Sequence, residues 1–193
     1  MHSELYDDKL IYYIYLFLTF QMISGIFFLK YSFFEMKLHK NPPLNIVLYE
    51  PQIPPNTGNI ARLCAATRCH LILLGKLGFD LSDKQLKRAG LDYWQWVSWE
   101  HFTDAEAFLT TLSSKNFYFL SVHNERPYTK INPHEGDYLF FGKETFGLPK
   151  EWMERFSECC FTLPMWEPGV RSLNLGSSVA VVLYDGLRQL GKF

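Results

Sequence analysis

A chain of 193 residues, 48% of them hydrophobic, has enough apolar material for one domain with a real core. Its formal net charge of −1 excludes a global basic field, so any nucleic-acid surface must be a local patch. The cysteines Cys64, Cys69, Cys159 and Cys160 show neither CxxC nor Cys/His ligand spacing. That argues against a metal site and for free, buried thiols in a reducing, cytoplasmic setting.

Composition changes at Pro42-Pro43. From Leu10 to Leu29 runs an uncharged apolar and aromatic stretch between Lys9 and Lys30, close to the roughly 20 residues that a bilayer span needs. It reads as a membrane anchor, as an appended helix, or as an extension ahead of a true start at Met36. The last reading is favoured, because Met36-Lys37-Leu38-His39-Lys40 begins as soluble proteins do. A cleaved signal peptide fits poorly, for want of a small-residue cleavage site. The expected division is an extension over 1–43 and a single domain over 44–193, with no membrane attachment.

Within that domain, Leu44 to Tyr49 is an apolar strand, ended by Pro51, Pro54 and Pro55. A helix follows from about Thr57 to Thr67, with Ile60, Leu63 and Cys64 on one face. Leu71 to Leu74 is a second buried strand. Ser82 or Asp83 caps a short helix carrying Lys84, Lys87 and Arg88. Trp96 to Ser98 is a weak strand, and Thr103 caps a helix to about Leu112. Phe117 to Val122 and Tyr138 to Phe141 are further strands. Pro149 opens a helix over Lys150 to Phe156, where a missing N–H costs nothing. Cys160 to Leu163 is the last strand, and Asn174 to Leu190 the last helix. Alternating strands and helices with continuous apolar strands predict an α/β fold, a largely parallel sheet with helices on both faces.

In such sheets ligands sit beyond the carboxyl ends of the strands. Three loops there stand out: Glu50 to Asn59, Gly142 to Pro149, and Pro164 to Asn174. In the first, Asn56, Thr57 and Asn59 are helix-capping types. Arg62 sits further along a helix that reads as apolar nearly all round, where an arginine usually has a partner or a phosphate. In the second, two glycines permit a tight turn, but neither GxGxxG nor GK[ST] is present. Glu144 alone reads as an acceptor for backbone N–H groups. In the third, Arg171 to Ser178 places capping and small residues where a buried helix begins. Lys84, Lys87 and Arg88 share one helix face, by default a solvated one. With Tyr93, Trp94 and Trp96 close by, it could also hold phosphates and stack a base. His70, His101 and His123 lack partners at triad or metal spacing and read as structural.

Together the three loops resemble the SPOUT methyltransferases, a superfamily with a C-terminal trefoil knot. The first motif matches Asn56 to Arg62, the second Gly142-Lys143-Glu144-Thr145-Phe146-Gly147-Leu148-Pro149, and the third Pro164-Met165 through Asn174. The likeness is strongest to the small branch that methylates the ribose 2′-hydroxyl of the tRNA wobble nucleotide, C34 or U34. Asn45 to Pro51, Ile53 to Ile60 and Arg88 to Tyr93 follow that branch almost word for word. The resemblance implies S-adenosylmethionine as cofactor, lined by Ser121, Gly142, Leu163 and Ser172. It implies a ribose site formed by Arg62, Asn56, Glu144, Ser172 and Asn174, and a homodimer whose partner completes the RNA site. The anticodon stem-loop of tRNA would then meet Lys84, Lys87, Arg88 and Tyr93.

A guanidinium stays protonated in proteins, so Arg62 is better suited to clamp a phosphate and stabilise oxyanion character than to act as a base. Three departures from the family pattern stand in the chain. Gly176-Ser177 replaces a Ser-Asn pair, Phe146 stands where an arginine is common, and the loop Trp166 to Val170 is a residue longer. Methylation of another RNA such as rRNA, or RNA binding with impaired catalysis, are the alternative readings.

Overall fold

In chain order the described elements are β1 (Leu44–Tyr49), α1 (Pro54–Thr67), β2 (His70–Leu74), β3 (Ser98–Phe102), α2 (Ala105–Thr110), β4 (Phe117–Leu120), β5 (Asp137–Phe141), α3 (Lys150–Arg155), β6 (Cys160–Phe161) and α4 (Leu175–Gln189). The structure, a computed structural model, describes residues 41–80, 94–112 and 116–193, all within the unit His39–Phe193. The strands form one six-stranded sheet in the order β3-β2-β1-β5-β4-β6. Every ladder is parallel.

Both faces of this sheet are covered, which is why its strands read as unbroken apolar runs. Leu44, Ile46 and Leu48 of β1 pack on one face with Ile60, Ala61 and Cys64 of α1 and Val179, Val182, Leu183 and Leu187 of α4. Val47 faces the other way, into Phe108 and Leu109 of α2, Trp152 of α3, and Phe119 and Phe140. The apolar positions of α4 recur at i, i+3, i+4 and i+8, so the helix presents one stripe to the sheet. Fully burying each such side chain contributes roughly 1.5–3 kcal/mol, more than any cap, so packing sets where α4 lies. Gly186 lets it lie close, since a Cβ there would stand 2.9 Å from Leu44 Cδ1.

Element boundaries differ from the sequence reading in instructive ways. Helix α1 begins at Pro54 rather than Thr57, because two prolines at its first positions need no N–H partner and have φ already set. Strand β3 starts at Ser98, after a 3-10 turn over Trp94–Trp96. Asp104, not Thr103, caps α2, its Oδ1 accepting from Ala107 N at 3.0 Å. The expected helix bearing Lys84, Lys87 and Arg88 lies outside the described residues, as do Tyr93 and Leu10 to Leu29. All four cysteines are free. His70 bonds Ser98 Oγ at 2.7 Å and His101 the Gly75 carbonyl at 2.9 Å.

Strand order matters most between β1 and β5. From β1 the chain moves outward through β2 to β3, whereas β5 and β4 lie on the opposite side. The resulting crevice, at the carboxyl ends of β1 and β5, is where ligands bind in parallel sheets.

Candidate active site

Two tight turns leave the strands at this crevice. After β1, Glu50 takes a left-handed φ of 45° and its N–H bonds the Leu74 carbonyl at 2.7 Å. After β5, the chain folds back on itself: Gly147 donates its N–H to the Lys143 carbonyl at 2.8 Å. That closure requires glycine at 142, because a Cβ there would stand 2.0 Å from the Gly147 carbonyl carbon. Lys143 Nζ pairs with Glu50 Oε2 at 2.7 Å, clasping the two turns together. The hydrogen bond it donates to Glu50 raises the Lys143 ammonium above the usual lysine value, and burial raises the neighbouring Tyr49 phenol.

Glu144 reaches from the second turn into the first. Its Oε2 accepts the Gln52 N–H at 2.9 Å, and its Oε1 accepts the Ile53 N–H at 3.2 Å and Asn56 Nδ2 at 2.9 Å. Asn56 Oδ1 accepts from Asn174 Nδ2 at 2.9 Å, and Asn174 Oδ1 accepts the Ser177 N–H at 3.2 Å. One hydrogen-bond chain thus ties all three loops. Its polarity is determined throughout: an ionised carboxylate only accepts, so Asn56 must turn its NH2 to Glu144 and its oxygen to Asn174. Asn174 must then give its NH2 to Asn56, leaving its oxygen to cap α4.

This geometry corrects the reading of Asn56 and Thr57 as helix caps. Ile53 occupies the N-cap of α1 without a side-chain cap, while Asn56 and Thr57 are buried within the first turn. Nor is α1 enclosed all round. It buries Asn56, Thr57, Gly58, Ile60, Ala61 and Cys64, whereas Pro55, Asn59, Arg62 and Ala66 form an exposed stripe. Arg62 lies on that stripe, under two turns beyond Asn56. Helix α4 starts close by: a Cβ on Gly176 would lie 3.2 Å from Asn174 Oδ1 and 3.7 Å from Asn59 Cβ.

Ser121, Gly142 and Leu163 follow β4, β5 and β6, three neighbouring strands, so their backbones lie side by side. The Ser121 N–H bonds the Phe161 carbonyl at 2.9 Å, and its Oγ accepts the His123 N–H at 3.2 Å. Ser172 is exposed, two residues before Asn174. Lys84, Lys87, Arg88 and Tyr93 lie outside the described residues. Glu144 accepts backbone N–H groups as its sequence reading expects; sequence reasoning missed which amides these are, Gln52 and Ile53, and the Lys143–Glu50 clasp. Backbone donors leave no residue signature, and only the adjacency of Lys143 to Glu144 could have hinted at the clasp.

A parallel six-stranded sheet, covered by helices and carrying a polar junction at its switch point, defines an α/β protein with its ligand site beyond the strand ends. Residues 43–184 match the SpoU rRNA Methylase family, and the chain belongs to that family. It is 45% identical over 148 residues to the tRNA (cytidine(34)-2′-O)-methyltransferase of Saccharophagus degradans, covering 76% of this chain and 96% of that protein. To the enzyme of the same name from Escherichia coli K12 it is 44% identical over 149 residues, covering 77% and 94%. Among solved structures it matches, with TM-score 0.72 and 44% identity, one described as giving structural insights into the 2-OH methylation of C/U34 on tRNA, covering 78% and 97%. The SpoU methyltransferase AviRb of Streptomyces viridochromogenes, solved with AdoMet, matches with TM-score 0.69 at 19% identity over 82% and 65%, a likeness of fold.

Proposed function

We propose that this chain transfers the methyl group of S-adenosylmethionine to the ribose 2′-hydroxyl of the wobble nucleotide, position 34, in the anticodon loop of tRNA. The observation that carries this reading is the Glu144–Asn56–Asn174 chain at the switch point. It stands in a protein 44–45% identical to tRNA (cytidine(34)-2′-O)-methyltransferases over nearly their whole length.

The strand ends suit such a cofactor chemically. Side-by-side backbones after β4, β5 and β6 offer amides and carbonyls to a nucleoside's polar edge, and half-buried Leu163 offers an apolar contact to its face. When bound, S-adenosylmethionine supplies an electrophilic methyl group for in-line displacement. Ser121, Gly142, Leu163 and Ser172 hold it in this reading, within a knotted C-terminal segment. Asn56, Glu144 and Asn174 fix the loops so that the acceptor oxygen is presented in line, which supplies much of the rate in such transfers. Arg62 binds the phosphate 3′ to the acceptor ribose and stabilises the oxyanion as the proton leaves to that phosphate or to water.

The working form in this reading is a cytoplasmic homodimer, and residues 1–43 are an extension outside the catalytic domain 44–193. Supporting the dimer, α4 exposes Ser177, Val181, Tyr184 and Arg188 as one stripe, and the tilted Phe193 ring lies 6.0 Å from that of Tyr184. Lys84, Lys87, Arg88 and Tyr93 extend the RNA surface. The test is to incubate purified protein with S-adenosylmethionine and bulk tRNA, then map ribose-methylated nucleotides. Methylation at position 34 is expected. No 2′-O-methyl group there, or methylation of rRNA instead, overturns the reading.

A further inference from the structure

We infer that Phe146 is a stacking platform for an unpaired base flanking the methylated nucleotide, a deepening that rests on the proposed tRNA reading. The Phe146 side chain is 80% exposed. A phenylalanine gains most from burial, so a ring held in water on an ordered turn is suited to cover the flat face of a partner. The turn beneath it is closed on every side. Gly142 lies against the Gly147 backbone, Gly147 bonds Lys143, Lys143 is clasped by Glu50, and Leu148 is buried. The ring is therefore presented on a rigid mount, which keeps the entropy cost of a contact low.

Its position says what the partner is. Phe146 follows Glu144 by two residues, so their Cα atoms are at most about 8 Å apart. Glu144 in turn holds Asn56, beside the acceptor site. The Lys143 ammonium, itself paired with Glu50, stands 5.9 Å from the Phe146 ring centroid and steadies the ring on the turn. An exposed aromatic face beside the acceptor ribose suits single-stranded RNA, because every unpaired base has a π-face to lay on it. A second copy of the chain is the competing occupant, and the sedimentation arm of the experiment below reads it.

The experiment uses the full-length protein and an anticodon stem-loop RNA with 2-aminopurine next to position 34. Wild type is expected to bind and quench the probe. Phe146→Ala should weaken RNA binding roughly five- to hundred-fold and abolish quenching, with cofactor affinity and the salt slope of RNA binding unchanged. Phe146→Trp should restore both, whereas Phe146→Arg should restore affinity without quenching and steepen the salt slope by about 0.7. Phe146→Ala binding within about two-fold of wild type with quenching intact, or an altered sedimentation coefficient that reveals a subunit contact, overturns the inference. If wild type quenches and Phe146→Ala does not, yet nothing is methylated at position 34, the enzymatic reading fails and only the stacking of a base on Phe146 stands. If wild type methylates position 34 and Phe146→Ala matches it in every respect, only the platform fails.

Discussion

Asn56 Nδ2 lies 2.9 Å from Glu144 Oε1, joining residues 88 apart in the chain. Because Glu144 also accepts the Gln52 and Ile53 N–H groups, it faces three donors and no acceptor. Glutamine cannot satisfy that arrangement. Its best fit turns oxygen toward Ile53 and Asn56, and its NH2 then opposes the Gln52 N–H. Leaving that donor unsatisfied costs about 1–3 kcal/mol. Glu144→Gln is thus expected to lower Tm by roughly 2–12 °C, at 2–4 °C per kcal/mol for a domain of this size. It should also slow methyl transfer by about ten-fold or more through misplacement of the loops. Calorimetry and initial rates check both, and an unchanged Tm removes the junction's structural importance.

Asn174 plays two roles that substitution can separate. Asn174→Asp keeps an oxygen to cap α4 at Ser177 but opposes a carboxylate to Asn56 Oδ1, breaking the link between loops. Asn174→Ala loses both, with the cap alone costing about 1 kcal/mol. Both variants should therefore lose activity, while chemical denaturation finds the aspartate variant more stable than the alanine one. Equal stability would mean the cap contributes nothing.

The parallel sheet and both covered faces are legible in the sequence because apolar runs and helical periodicity are local properties, whereas the convergence of the three loops is implied by the family resemblance. Asn56 is not legible as a bridge. Read locally, an Asn near prolines at a helix start is a cap, and only the tertiary partners Glu144 and Asn174, 88 and 118 residues away, reassign it. The surroundings of Arg62 escape a local reading for a related reason. Small residues such as Ala66 count as apolar in a pattern yet pack equally well on an exposed face. Asp104 displaces Thr103 as a cap by a one-residue shift that propensity cannot resolve.

The turn after β5 gives a sharp packing test. A methyl group on Gly142 would lie 2.0 Å from Gly147 C, 2.3 Å from Leu148 N and 2.5 Å from Gly147 O, all backbone atoms that cannot rotate away. Gly142→Ala should destabilise by about 2 kcal/mol or more and abolish cofactor binding with it. Urea denaturation and a cofactor titration are the measurements, and a loss under about 0.5 kcal/mol would rule out this turn geometry.

Alkaline pH should weaken the fold through buried acids held protonated. Burial raises the Cys160 thiol to about 11, and burial with the nearby Asp137 carboxylate raises the Tyr118 phenol to about 12. The folded state then binds more protons than the unfolded chain above the ordinary values of 9.0 and 10.0, so unfolding free energy falls as pH rises. Stability from these groups is fully present below pH 9 and declines from there toward pH 12. Urea midpoints measured across that window should fall steadily, and Cys160→Ala should flatten the earlier part of the decline. A midpoint that rises with pH contradicts the assignment.

Arg62 tests the chemistry itself. It stands on the exposed stripe of α1, beyond the buried Asn56. If it clamps a phosphate, Arg62→Ala should lower turnover about 10²- to 10³-fold, the usual cost of losing one donor at a developing oxyanion. The same variant should bind cofactor normally and reduce the salt slope of tRNA binding by about 0.7–0.9, the share of a single neutralised phosphate. Arg62→Lys keeps a point charge without the two-pronged donor, so it should retain the slope and recover only part of the turnover. Single-turnover methylation at several salt concentrations reads both quantities. Near-normal turnover in the alanine variant would remove Arg62 from the reaction, and an unchanged slope would move its contact from phosphate to another part of the nucleotide.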